Sequence, residues 1–269
     1  MLPCLDDLIP LVQAIAREEL LPRFNHAERR VKADGSIVTE ADFAVQRRLA
    51  EALRQRYPEL ELLGEEMDPA RQRELLGRLE QGLWCLDPLD GTSNFAAGFP
   101  FFCISLALLQ GPEPVLGLVY DPLRDECFTA QRGRGAWLNG RVLRCRTADL
   151  PLSACLAAVD FKRLDPGRAA ALACRPPYRS LRYLGSGALE WCWLAADRFQ
   201  VYLHGRQKLW DYAAGALILT EAGGWATTLE GEPIFAPGLP PRSVVAAGDS
   251  RLHGQWWAAL AAEPHSGPE

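Results

Sequence analysis

Between Leu83 and Ala130 four apolar runs of strand length follow one another: LWCL (83–86), FFCISLALL (101–109), VLGLVY (115–120) and ECFTA (126–130). Only short polar stretches separate the last three. Asp121-Pro122 is a turn signal between two of them, and Asn139-Gly140 flanks the set. Parallel neighbours need a crossover of about a dozen residues or more, so these short connections predict an antiparallel meander.

Helical spacing appears before the meander. Leu5, Leu8, Ile9, Val12, Ile15 and Ala16 form one apolar face, and Pro10 fits only near the start of such a helix. A second helix begins near Thr39 and carries Phe43, Leu49, Ala50 and Leu53. After Ser153 the pattern alternates. ACLAAVD (154–160) reads as a strand, and a helix follows Pro166. LRYL (181–184) precedes a helix after Gly187. QVYLH (200–204) precedes a helix from Asp211, and SVVAAG (243–248) a last helix. Alternation predicts layered α/β structure. The halves 1–150 and 151–269 meet near Thr147 to Ser153. With 269 residues they share one core as one structural unit, the first an α+β half with the antiparallel sheet, the second an α/β half. Only the tail EPHSGPE reads as frayed.

Charge and cysteine usage exclude several function classes. A net charge of −5 argues against a nucleic-acid surface, which needs a basic stripe. An anionic substrate therefore needs local cations. No run of eighteen apolar residues exists, and the N-terminus MLPCLDDLIPLVQAIAREEL lacks a basic leader, so neither a membrane span nor a signal peptide is expected. The eight cysteines include no C-x-x-C pair and read as buried thiols of a cytoplasmic protein.

The stretch LDPLDGTSNF (86–95) carries the chemistry. Pro88 cannot donate to a ladder, so the strand is predicted to end at Asp87, with Asp90 in the turn that follows. Gly91 permits close backbone approach, and Thr92 or Ser93 can cap a helix whose free N–H groups suit a phosphate. Two acids beside an anion cradle repel the anion unless a cation lies between them, which points to a bound metal. Three further segments put acids where elements meet. VTEAD (38–42) spaces Thr39 and Asp42 as a capping box, LLGEEM (62–67) ends an apolar run with Glu65 and Glu66, and WDYAAGALILTEAGG (210–224) opens a helix with Asp211. Each has a plainer reading: a turn with solvated acids, a capping box, a polar turn, and an N-cap with a glycine stop.

Taken together, KADGSIVTEAD (32–42), GEE (64–66), DPLDGTSNF (87–95) and WDYAAGALILTEAGG (210–224) resemble the inositol monophosphatase superfamily in order and spacing. The resemblance covers most of the chain. It implies a five-layered α-β-α-β-α sandwich and Mg²⁺-dependent hydrolysis of a phosphate monoester, a small phosphorylated metabolite, with two to three ions per site. By motif position, Glu65, Asp87 and the Leu89 carbonyl look like ligands of a first metal, and Asp87, Asp90 and Asp211 of a second. A third, weaker ion would lean on Glu65. Thr92 with Asp42 looks like the pair that orients or deprotonates the attacking water, and Glu66 joins the catalytic set. Gly91, Thr92 and Ser93 face the phosphate. Gly185, Ser186 and Gly187 resemble the family's substrate-contacting turn. A homodimer is expected by analogy alone.

Bottom-up chemistry runs the same way. Every proposed ligand is an oxygen, which selects a hard cation such as Mg²⁺. None of His26, His204, His253 and His265 lies in a nucleophile or zinc motif. The substrate side departs from the inositol pattern. Where inositol phosphatases carry a glutamate about seven residues before the WD aspartate, this chain has His204, followed by Arg206 and Lys208; Lys162 and Arg163 could line the same side. Cations there favour a second anionic group, as in fructose 1,6-bisphosphate or 3′-phosphoadenosine 5′-phosphate. The readings are thus an inositol monophosphate-type phosphatase, a bisphosphate phosphatase, or a non-catalytic phosphate or metal sensor on the same fold.

Overall fold

The computed structural model describes residues 3–26, 28–32, 35–146, 149–236 and 240–261. Two helices, α1 (Leu5–Ile15) and α2 (Glu40–Arg56), bracket an antiparallel pair, β1 (Arg29–Val31) and β2 (Ile37–Thr39). There follow β3 (Glu61–Gly64), α3 (Pro69–Leu76), β4 (Leu83–Asp90), the short α4 (Thr92–Ala96), β5 (Cys103–Gln110), β6 (Glu113–Asp121), β7 (Glu126–Gln131), β8 (Gly135–Leu138) and β9 (Arg141–Leu143). The second half runs β10 (Leu156–Asp160), α5 (Pro166–Cys174), β11 (Ser180–Arg182), α6 (Gly187–Ala195), β12 (Val201–Gln207), α7 (Leu209–Glu221), β13 (Trp225–Thr227), β14 (Arg242–Ala247) and α8 (Ser250–Ala261).

Strands β3 to β9 form a seven-stranded sheet in sequence order, antiparallel throughout except for the parallel β3–β4 pair. The second sheet has the order β11-β10-β12-β14-β13, parallel across its first three strands and antiparallel beyond. Three apolar cores fill the gaps between five layers, the middle one enclosing α6 and α7. Trp84, Leu86, Ile104 and Leu106 face α1 and α2 through Leu8, Val12, Val45 and Leu49. The alternate residues Cys85, Cys103 and Ala107 join Trp191, Leu217 and Ile218 of α6 and α7, together with Ala158, Tyr202 and Ala246 of the second sheet. The outer face of that sheet, with Ala157, Leu203 and Val245, packs on Leu172, Leu252 and Trp256 of α5 and α8. Period-two alternation makes each sheet a wall between two cores, which gives the α-β-α-β-α order. Each fully buried Leu or Phe contributes about 1.5–3 kcal/mol. The middle core draws residues from both sides of position 150.

Several local expectations are corrected. β4 does not stop at Asp87: it continues through Pro88 to Asp90 by a bulge, because an irregular segment needs no N–H from the proline. Pro10 lies inside α1 rather than at its start, on an exposed position. Asp211 is not an N-cap. Lys208 holds that position and Asp211 is three residues inside. Neither Thr92 nor Ser93 caps α4, since Gly91 does so in the left-handed conformation (φ 94°). β1, β2, β8, β9 and β13 are three or four residues long, too short to show a period in sequence. Ala33 and Asp34 of the first motif, Thr147 of the seam, the tail and His265 lie outside the described residues.

Candidate active site

Asp87 and Asp90 are three residues apart, and in a regular strand that spacing points them to opposite faces. The bulge resolves the parity. Asp87 pairs with Ser105 and Asp90 with Cys103, so three steps on β4 match two on β5. Both acids therefore emerge on the face of Ser105 and Cys103, towards α6 and α7, while Leu89 turns into the outer core. Asp87 Oδ1 accepts the Leu89 N–H (3.0 Å), which shapes the bulge. Gly91 closes it: a Cβ there would lie 2.9 Å from the Phe101 carbonyl oxygen.

Tertiary contacts bring in the remaining acids. The Ser105 hydroxyl, beside Asp87, donates to the Trp210 carbonyl (3.1 Å) and fixes the first turn of α7. Asp211 accepts the Lys208 N–H (2.8 Å) from within that turn. Carboxylate oxygens of Asp87, Asp90 and Asp211 all lie within 4.8 Å of one another. Parallel pairing of β3 with β4 sets Glu65 at the same edge, its N–H donating to the Leu86 carbonyl (3.1 Å). Glu65 and Glu66 share Lys32, whose Nζ lies 3.4 Å from Glu65 and 2.5 Å from Glu66; Lys208 Nζ is 3.7 Å from Glu65.

The Thr92 hydroxyl lies 3.0 Å from Asp42 Oδ1 and 2.8 Å from the Leu89 carbonyl, both acceptors. Asp42 Oδ2 accepts the N–H and hydroxyl of Thr39 at 2.7 and 2.6 Å. The predicted capping box is thus present, and the same carboxylate also reaches Thr92. Burial raises Asp42 despite the Thr39 and Thr92 donors, and burial raises Glu66 despite Lys32.

The cluster is electrostatically frustrated. Burial, then the charges of Glu65, Asp90 and Asp211, push Asp87 well above the usual carboxylate range. Burial and the neighbouring acids do the same to Asp211. Asp90 is pushed up to about 6 by burial, although Ser186 and the Ala188 N–H donate to it at 2.8 and 2.6 Å. Carboxylates whose oxygens converge this closely, Asp87 buried and Asp90 and Asp211 half-buried, fit a hard divalent cation such as Mg²⁺. A pH dependence follows. The folded protein holds these protons more tightly than the unfolded chain does. Without metal, the contribution of these three acids to stability is therefore most favourable below the ordinary aspartate range and is lost as pH rises from about 4 to about 6 and beyond. Added Mg²⁺ is expected to stabilise the fold, by about 2.7 kcal/mol at 100 times the dissociation constant, and to raise the melting temperature more at pH 7.5 than at pH 5. Calorimetry with chelator or Mg²⁺ at the two pH values checks this, and an equal shift at both counts against it.

A cavity of about 510 Å³ opens beside the acids, lined by Asp90, Asp211, Ser93, Asn94, Gly185, Gly187, His204 and Arg206 among others. Ser186 is fully buried, with its hydroxyl on Asp90, so it reaches the site through that carboxylate rather than from the cavity wall.

The family model of the inositol monophosphatase family matches residues 6–265. The chain belongs to the inositol monophosphatase family. As a member it is a phosphoric monoester hydrolase. It is 36% identical over 214 residues to inositol monophosphatase 1 of Solanum lycopersicum, covering 77% of this chain and 78% of that protein. It is 35% identical over 198 residues to the Nus factor SuhB of Xylella fastidiosa, covering 72% and 69%. The solved structure of a Thermotoga maritima IMPase superposes with TM-score 0.81 at 27% identity, over 95% of this chain and 96% of that one. No helix among the described residues is long and apolar enough to cross a membrane.

Three inward-facing residues escaped the reading of the family's motifs. Lys32 holds both glutamates. Asp160 faces His204 at 3.1 Å. Glu190, almost fully buried, lines the cavity and accepts the N–H groups of Leu184 and Gly185, both at 3.2 Å. Burial pushes Glu190 up to about 8 against the Tyr202 hydroxyl, with Asp90 adding to the rise. A lone acid inside the apolar run GALEWCWLAA was the available signal.

Proposed function

We propose that this member hydrolyses a small phosphate monoester with Mg²⁺, releasing inorganic phosphate by attack of water. The observation that carries the reading is the meeting of two arrangements: the Asp87, Asp90 and Asp211 cluster, and the Thr92–Asp42 pair joined to the same bulge through the Leu89 carbonyl. Asp87, Asp90 and Asp211 would hold one ion, and Glu65, Asp87 and the Leu89 carbonyl another, with Glu65 supporting a weaker third. Mg²⁺ bound there supplies charge neutralisation for the phosphate and the leaving alkoxide and acidifies a coordinated water.

The protein's own residues position the reactants. Thr92 points its proton at Asp42 and the Leu89 carbonyl, which leaves its oxygen able to accept a proton from water. Ionised Asp42 is held by three donors and can take up that proton through Thr92. Gly91, Thr92 and Ser93 bind the phosphate. Lys32 restrains Glu66, the third member of the catalytic set. Eight unpaired cysteines suit a cytoplasmic setting. The sensor reading has no use for a Thr92–Asp42 pair. Phosphate release from a panel of monoesters, inositol 1-phosphate included, is expected to require Mg²⁺ and to stop with chelator. No release from any ester would leave the sensor reading standing.

A further inference from the structure

The wall of the cavity away from the acids is rich in donors and poor in free acceptors. Asp160 Oδ1 accepts the Lys162 N–H (2.7 Å), and Oδ2 faces His204 Nε2 at 3.1 Å. His204 Nδ1 accepts the Arg206 N–H (3.1 Å), so the hydrogen-bond pattern puts the ring proton on Nε2, donated to Asp160. Both ring nitrogens are engaged, and His204 acts as a strut between strands β10 and β12, where it pairs with Asp160 in register. Glu190 is occupied by two backbone N–H groups, and Tyr202, which itself accepts from Gln207 Nε2 at 2.8 Å, backs it.

Three cations lie on the same wall. Lys162, Arg163 and Arg206 are exposed and line the cavity. The Lys162 ammonium and the guanidinium groups of Arg163 and Arg206 have no hydrogen bond or ion pair with any of the described residues. Their convergence is built in. β12 shifts register between His204 and Gln207, and Gly205 lies at that irregularity. A Cβ on Gly205 would fall 1.9 Å from the Arg163 carbonyl oxygen, so only glycine lets this strand lie against the turn carrying Lys162 and Arg163. In a chain of net charge −5, three cations stand with Asp160 on one wall of a cavity that is also lined by two of the clustered acids.

We infer that Lys162, Arg163 and Arg206 form a subsite for a second phosphate on the leaving group, so that a bisphosphorylated ester is preferred to its monophosphate. This rests on the phosphomonoesterase reading. Both His204 nitrogens are engaged and the Asp160 and Glu190 carboxylates already accept protein donors, whereas the three cations have no acceptor among the described residues. A phosphate brings acceptors to donors that lack them.

The test uses the Mg²⁺-loaded full chain and two matched pairs: fructose 1-phosphate against fructose 1,6-bisphosphate, and adenosine 3′-phosphate against adenosine 3′,5′-bisphosphate. In at least one pair, kcat/KM for the bisphosphate is expected to exceed that for the monophosphate by about tenfold or more. Arg206→Gln is expected to lower that ratio by about tenfold, mainly through KM, with Arg206→Lys recovering part of it. A ratio near one in both pairs overturns the subsite, as does an Arg206→Gln variant that keeps the wild-type ratio. Absence of phosphate release from all four esters by the wild type would overturn the phosphatase reading and the subsite together.

Discussion

Asp90→Asn is expected to lower Mg²⁺-dependent phosphate release by about 10³-fold or more, which corresponds to several kcal/mol of lost metal-assisted stabilisation. The metal-free variant is expected to melt no lower than the wild type. The amide oxygen can replace Oδ2 as acceptor for the Ser186 hydroxyl and the Ala188 N–H. The amide nitrogen then faces Asp87 and Asp211 as a donor, where the wild type has a third carboxylate within 4.8 Å. Removing one charge from three converging acids relieves repulsion in the metal-free fold. Melting curves with and without Mg²⁺, alongside phosphate release, separate the two effects. A variant that still melts higher with Mg²⁺ and keeps near-normal release would remove Asp90 from the metal site.

Thr92→Ala is expected to lower kcat by about 100-fold while KM changes little, the signature of a group used in the transition state rather than in binding. The hydroxyl lies 3.0 Å from Asp42 Oδ1, and its loss leaves that carboxylate with the Thr39 donors only. The stability cost is about 1 kcal/mol, the net worth of one hydrogen bond. Thr92→Ser keeps the hydroxyl and is expected to restore most of kcat. If Thr92→Ala turned over like the wild type, or if the serine variant were as slow as alanine, Thr92 would be a structural residue of the bulge and nothing more.

The two variants test different halves of one site, and the sequence exposed those halves unequally. Asp87, Asp90, Glu65 and Asp211 stand out because acids at the ends of apolar runs are costly without a purpose. Glu190 and Asp160 did not stand out, because one acid in a buried helix and one at a strand end have ordinary structural readings. Arg206 lies more than forty positions beyond the adjacent pair Lys162 and Arg163. Only the pairing of β10 with β12 and the contact at Gly205 put them on one wall.

The sequence by itself determined the antiparallel meander, the alternating second half, the acids proposed as an oxygen-only ligand set and the family's motifs. These depend on local periodicity, turn chemistry and side-chain type, all carried by neighbouring residues. Only the tertiary structure decided how Asp87 and Asp90 come to share a face. Pro88 by itself argued for a strand end, whereas pairing with β5 carries the chain on through a bulge to Asp90. It also decided that Ser186 supports Asp90 rather than the cavity wall, and that Asp160 is held by the Lys162 N–H and His204. Register and hydrogen-bond occupancy belong to pairs of residues far apart in the chain, so neither can be read from one stretch alone.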